Sequence, residues 1–219
     1  MVMKTILYIH GLSSSGASGA SGAARHLQAL LPDIRVIAPD LPIDPDEALA
    51  MLRDLVATER PDIVIGTSMG GMFAQQLYDC RKILVNPAFH VSRTMRRQIG
   101  VCSFLNPRKD GATTYTITPE LCNRYEEMER HQFDGITENT ITKTWALFGE
   151  HDQVVNCREE YLQYYRNYKT FEGEHRLCFE NIRDVLVPLI ISITGNQSES
   201  KRVSNIAFFC RSSFSNDAR

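Results

Sequence analysis

No apolar run in this chain approaches the roughly 20 residues that a membrane-spanning helix needs. The opening run, Thr5-Ile6-Leu7-Tyr8-Ile9, is also too short for the core of a secretion signal. An excess of either charge is missing too. The formal net charge is -2, which gives nucleic acid or an anionic membrane surface nothing to read. The six cysteines (Cys80, Cys102, Cys122, Cys157, Cys178 and Cys210) are scattered without a Cys-x-x-Cys pair. That pattern argues against a zinc site or a disulfide framework and suits reduced thiols in the cytoplasm. No His/Cys/Asp cluster has metal-ligand spacing, so neither a metal nor another cofactor is expected. Ser13-Ser14-Ser15-Gly16 looks like a phosphate loop but lacks the Gly-Lys-Ser/Thr ending, which argues against nucleotide binding. No internal repeat is visible.

What is present reads as alternating strands and helices. The 219 residues suffice for one α/β domain with a sizeable core. Short, mostly apolar or β-branched runs predict strands at Lys4 to Ile9, Ile34 to Ala38, Ile63 to Gly66, Lys82 to Asn86, Thr144 to Phe148 and Tyr168 to Phe171. Helical patterns fall between them, from about Ala23 to Leu31, from Asp44-Pro45-Asp46-Glu47 onward, and after Gly70. A last helix is predicted from Phe179 to Ile193, with a kink or early end at Pro188. The pattern implies a mostly parallel sheet of about six strands with helices on both faces. One interval is too long for a simple crossover: Pro87 to Lys143, between the fourth and fifth strands. It carries Arg93-Thr94-Met95-Arg96-Arg97 and a predicted helix from Pro119 to His131. It reads as a cap-like insertion over the site, the alternative being a surface insertion without substrate contact. Residues 1–195 thus form one expected domain. Residues 196–219, rich in Ser and basic side chains, form an expected loosely ordered tail.

The chemistry centres on Gly66-Thr67-Ser68-Met69-Gly70. A β-branched run leads into it and a helix-like run leaves it, the context of a nucleophile elbow. A serine hydroxyl needs a base, and the base needs a third group to fix its tautomer. In the α/β-hydrolase arrangement these follow in the order Ser, Asp or Glu, His, on loops after later strands. Gly149-Glu150-His151-Asp152 follows the fifth strand and Glu172-Gly173-Glu174-His175 follows the sixth. Ser68, Asp152 and His175 are therefore the candidate catalytic residues, with Glu150 the competing acid. His26, His90, His131 and His151 read as surface histidines, although His90 is placed where it could touch substrate. His10-Gly11-Leu12 ends the first strand, which assigns the oxyanion hole to the backbone N–H groups of Leu12 and Met69. His10 is expected to orient that loop.

With these residues in hand, the chain resembles the α/β-hydrolase superfamily. More narrowly it resembles the small bacterial YqiA/YcfP-type esterase family. The resemblance rests on Tyr8-Ile9-His10-Gly11-Leu12-Ser13-Ser14-Ser15, Gly66-Thr67-Ser68-Met69-Gly70-Gly71, Val85-Asn86-Pro87-Ala88, Phe148-Gly149-Glu150-His151-Asp152-Gln153-Val154, Tyr161-Leu162-Gln163-Tyr164-Tyr165 and Glu172-Gly173-Glu174-His175. It implies the α/β-hydrolase fold and hydrolysis of short acyl esters by Ser68, Asp152 and His175. The expected partner is a small-molecule acyl ester, with no nucleic acid and no membrane span. A thioesterase, an amidase or a non-catalytic binding module on the same fold remains open at this point.

Overall fold

The computed structural model describes residues 3–16 and 22–195. The expected tail, 196–219, lies outside the described residues. Among them, six strands form one sheet: β1 (Thr5–Ile9), β2 (Arg35–Ile37), β3 (Ile63–Thr67), β4 (Lys82–Val85), β7 (Thr144–Gly149) and β8 (Asn167–Phe171). Their spatial order is β2-β1-β3-β4-β7-β8, and every neighbouring pair is parallel. All six strands predicted from the sequence are present.

Side chains of a strand alternate between faces, so the apolar runs feed two cores. Leu7, Ile9, Val64, Leu84 and Ala146 point to one cluster. It is closed by α2 (Pro45–Glu59), α3 (Met69–Gln75) and α5 (Pro119–His131) through Leu52, Phe73 and Tyr125. Ile6, Tyr8, Ile63, Ile65, Ile83 and Leu147 point to the other cluster. There α1 (Ala23–Leu30) and α9 (Val187–Thr194) pack through Leu27, Leu30, Leu189 and Ile190. Helices on both faces explain why the central strands β1, β3, β4 and β7 are buried nearly throughout, while the edge strands β2 and β8 stay partly exposed.

Helix α2 starts where the sequence says it should. Asp44 Oδ1 accepts the N–H groups of Asp46 and Glu47 at 3.0 and 3.1 Å, and Pro45 opens the first turn. Helix α5 starts the same way, with the Leu121 N–H donating to Thr118 Oγ1 at 3.1 Å.

The insertion is more elaborate than its predicted helix. After β4 come α4 (Val91–Met95), strands β5 (Gly100–Ser103) and β6 (Thr114–Ile117), then α5 and α6 (Glu138–Lys143). Strands β5 and β6 pair with each other as an antiparallel hairpin, apart from the main sheet. Helix α7 (Arg158–Tyr164) fills the interval between β7 and β8.

The last helix does not end at Pro188. It begins as α8 (Phe179–Asn181), widens into a π-helical turn over Ile182–Leu186, and continues as α9 to Thr194. The Val187 N–H donates to the Ile182 C=O across the wide turn. Proline lacks an N–H and clashes with the preceding turn. Here it sits in the first turn of α9, just after the widened one. Among the described residues no helix is long and apolar enough to cross a membrane.

Candidate active site

The chain runs from β1 outward to β2, then returns to the other side of β1 as β3. In an open parallel sheet, this reversal leaves a crevice at the carboxyl ends of the two strands. The end of β1 and the end of β3 are in register, with Ile9 opposite Gly66. Ser68 follows β3 directly and Gly11 follows β1. A Cβ on Gly11 would lie 3.2 Å from the Ser68 Cβ, so the loop after β1 touches the serine.

Ser68 adopts φ 53° and ψ -120°, a conformation costly for a side chain other than glycine. The elbow holds it there. The Ser68 N–H donates to the Val85 C=O at 3.0 Å, and the Ser68 C=O accepts from Gly71 and Ala88 at 2.8 and 3.0 Å. So tight a turn requires glycine at its base. A Cβ on Gly66 would meet the Gly70 C=O at 2.2 Å, and one on Gly70 would meet the Ile9 C=O at 2.1 Å.

Asp152 lies in the loop after β7 and His175 in the loop after β8. His175 Nδ1 is 2.8 Å from Asp152 Oδ2, with side-chain exposures of 15% and 5%. Asp152 Oδ1 accepts the N–H groups of Val154 and Val155 at 2.8 and 3.1 Å. Burial pushes the Asp152 carboxyl up. The His175 hydrogen bond and the two backbone donors outweigh it and hold the group below the ordinary carboxylate range. An ionised Asp152 makes Nδ1 the donor, which leaves His175 Nε2 as the acceptor. Among the described residues Ser68 Oγ makes no hydrogen bond to His175. Such bonds are often long in unliganded enzymes and shorten around substrate.

Asn86, singled out only as part of Val85-Asn86-Pro87-Ala88, is what gathers the three loops. Its Nδ2 donates to the Glu174 and His175 carbonyls at 3.1 and 3.0 Å. Its Oδ1 accepts the Gly149 N–H at 2.8 Å, and its own N–H donates to the Leu147 C=O at 2.9 Å. The residue just after β4 therefore ties the histidine loop and the acid loop beside the elbow.

The rival residues are engaged elsewhere. Glu150 is exposed and accepts from Thr170 Oγ1 at 2.8 Å. His151 pairs with Glu172, His90 with Glu160 and His131 with Asp134, while His26 packs edge-on against Phe179. His10 behaves as expected. The Leu41 N–H donates to its Nε2 at 3.3 Å, so Nδ1 carries the proton and donates to the Gly11 C=O at 2.8 Å. Burial lowers its pKa and keeps the ring neutral.

The sequence profile of an uncharacterised protein family, UPF0227, matches residues 5–193. The chain belongs to that family. Three solved structures show how widely the fold of this UPF0227 member is shared. Est1E from Butyrivibrio proteoclasticus is 14% identical, with a TM-score of 0.51 over 93% of this chain and 89% of that one. The esterase domain of a Rhodothermus marinus protein is 14% identical, with a TM-score of 0.54 over 80% and 79%. Tomato methylketone synthase I, complexed with 2-tridecanone, is 12% identical, with a TM-score of 0.52 over 93% and 100%. At these identities the likeness carries the fold alone, an α/β-hydrolase fold.

Among the described residues no three His, Cys, Asp or Glu side chains come together as metal ligands. The described cysteines Cys80, Cys102, Cys122, Cys157 and Cys178 are free thiols.

Proposed function

We propose that this protein is a serine hydrolase that cleaves a carboxylic ester with a short acyl group. Ser68 attacks the carbonyl carbon while His175 Nε2 takes the hydroxyl proton. Asp152 fixes the tautomer of His175 and stabilises the imidazolium. The N–H groups of Leu12 and Met69 stabilise the oxyanion. The alcohol leaves with the proton from His175. Water then attacks the acyl-enzyme, with His175 again as base, and releases the acid. Binding, orientation and proton transfer are all supplied by the chain, so the mechanism calls for no cofactor. Residues 1–195 act as one catalytic domain, and the 87–143 insertion stands beside the substrate.

The observation that supports this reading is the part-buried Asp152–His175 pair, 2.8 Å apart and anchored by Asn86 to the strand next to the elbow. A fluorophosphonate probe tests it, since the probe phosphonylates an activated serine. Labelling should map to Ser68 and vanish in Ser68→Ala, together with turnover of p-nitrophenyl esters. Retention of more than about a tenth of turnover in folded Ser68→Ala would move the nucleophile, because losing it costs several orders of magnitude. The triad does not dictate the leaving group. Matched oxygen and sulfur esters distinguish an esterase from a thioesterase. A wild-type protein that binds esters without labelling is a binding module.

A further inference from the structure

The loop that follows Leu12 is held from outside by contacts that the mechanism above does not use. Ser13, one residue beyond the Leu12 donor, has φ 63°. A non-glycine residue keeps such a backbone only where its surroundings over-determine it. Here the β5–β6 hairpin does so. The Leu105 N–H donates to the Ser13 C=O at 2.7 Å, and the hydroxyls of Ser13 and Tyr115 are hydrogen-bonded to each other. Asn106 Nδ2 donates to Ser14 Oγ at 3.2 Å, and Ser15 Oγ donates to the Pro107 C=O at 2.7 Å. Asp40 completes the set, accepting the Gly16 N–H on Oδ1 and the Lys109 N–H on Oδ2, both at 2.7 Å. Each residue from Ser13 to Gly16 is thus tied to the hairpin, Gly16 by way of Asp40. Tyr115 is 6% exposed, and burial pushes its phenol up, so it stays protonated.

We propose that the hairpin is a clamp on the oxyanion loop, and that Tyr115 and Asp40 are positioning residues for the Leu12 N–H. The proposal rests on the serine-hydrolase reading of the site. An oxyanion donor stabilises charge that exists only in the transition state, and it works because it is in place beforehand. A loosened Ser13–Gly16 segment leaves the ester's ground-state contacts intact and misplaces that one donor. The clamp therefore controls kcat and not KM. This differs from a cap that selects the acyl chain. Leu105, Asn106, Pro107 and Lys109 at the hairpin tip are engaged in holding the Ser13–Gly16 segment, Lys109 by way of Asp40.

Tyr115→Phe removes one oxygen and keeps the ring against Phe104, whose centroid is 4.8 Å away. Asp40→Asn replaces one acceptor by a donor that faces an N–H. Both should lower kcat for p-nitrophenyl butyrate by about tenfold or more, short of the 10²–10³ expected when a donor is lost outright. KM should stay within about twofold. A trifluoromethyl ketone binds as the Ser68 adduct, whose oxygen takes the negative charge as the serine proton passes to His175. Its inhibition constant should weaken by the same factor as kcat, which a merely structural role would not produce. Thermal midpoints report folding, and Tyr115→Phe decides alone if Asp40→Asn does not fold. Ser68-dependent turnover in the wild type with unchanged kcat and ketone affinity in the folded variants would overturn the clamp while leaving the hydrolase. A wild type without Ser68-dependent turnover would remove the hydrolase and the clamp with it.

Discussion

At the scale of single residues, the choice between two acids turns on what each accepts. Asp152 receives His175 and two backbone N–H groups, whereas Glu150 receives one threonine hydroxyl at the surface. Asp152→Asn should lower kcat by about 10⁴, the loss known when a triad acid becomes an amide and the wrong tautomer is held. Glu150→Gln should change kcat by less than about threefold, and the opposite ranking would move the acid to Glu150. The depressed Asp152 pKa has a stability consequence with a defined sign. The ionised carboxylate favours the fold above the unfolded aspartate value of about 3.9, and that contribution is lost as pH falls through the lower folded value. Urea unfolding should therefore show the wild type's margin over Asp152→Asn shrinking below about pH 4. The places of Ser68, Asp152 and His175, in the loops after β3, β7 and β8, were legible because each follows a strand signalled by its own residues. Asn86 was visible in the sequence but its role was not. Its side-chain donors reach carbonyls 88 and 89 positions away, a relation no local pattern carries. Asn86→Ala should cost about 1–3 kcal/mol for each buried group left unpaired, and kcat should fall further than stability alone accounts for, as His175 loosens.

At the scale of elements, the central strands β1, β3, β4 and β7 were readable because burial on both faces forces nearly continuous apolar runs, and the edge strands β2 and β8 by their place in the strand–helix alternation. The hairpin was not read. Its signal is a two-residue alternation over Thr114-Tyr115-Thr116-Ile117, buried only at Tyr115 and Ile117, and too short to stand out inside a polar insertion. The π-turn before Pro188 was hidden for another reason, since the proline predicts a break and tertiary packing decides how the break is absorbed. Strand β4 also begins with a residue that the apolar rule would not put there. Lys82 is fully buried, and its Nζ donates to the carbonyls of Gln75 and Leu77 at the end of α3. Burial lowers its pKa to about 8, against about 10.4 in an unfolded chain. Between those values the unfolded chain binds more protons, so this group's contribution to stability rises with pH across that window. Lys82→Met should gain most over the wild type at pH 7.5, and the gain should shrink at pH 8.5 and 9.5. A difference that stays flat across the three pH values would mean that the buried amine does not titrate there.

At the scale of the whole molecule, the sheet divides the protein into two cores, and the site lies where both leave the strand ends. One core carries the elbow helix and the insertion, the other carries α1 and α9. The alternation of elements made this layering legible from the sequence, while the insertion's path back onto the loop after β1 was not, because it depends on side chains such as Tyr115 and Asp40 meeting across the fold. The same layering bears on where the folded domain ends. The family match stops at residue 193, and the second core is closed by Ile190, Ile191 and the partly buried Ile193. Gly195, at φ 70°, then finishes α9 by donating its N–H to the Ile191 C=O. A left-handed glycine of this kind satisfies the last carbonyls and turns the chain away from the helix. A chain ending at Gly195 should therefore keep its unfolding free energy within about 0.5 kcal/mol, the range of changes that touch no packed feature. Its kcat/KM for p-nitrophenyl butyrate should match that of the full chain within about twofold. A larger loss of stability would mean that residues 196–219 pack on the body, and a loss of turnover alone would bring them to the site.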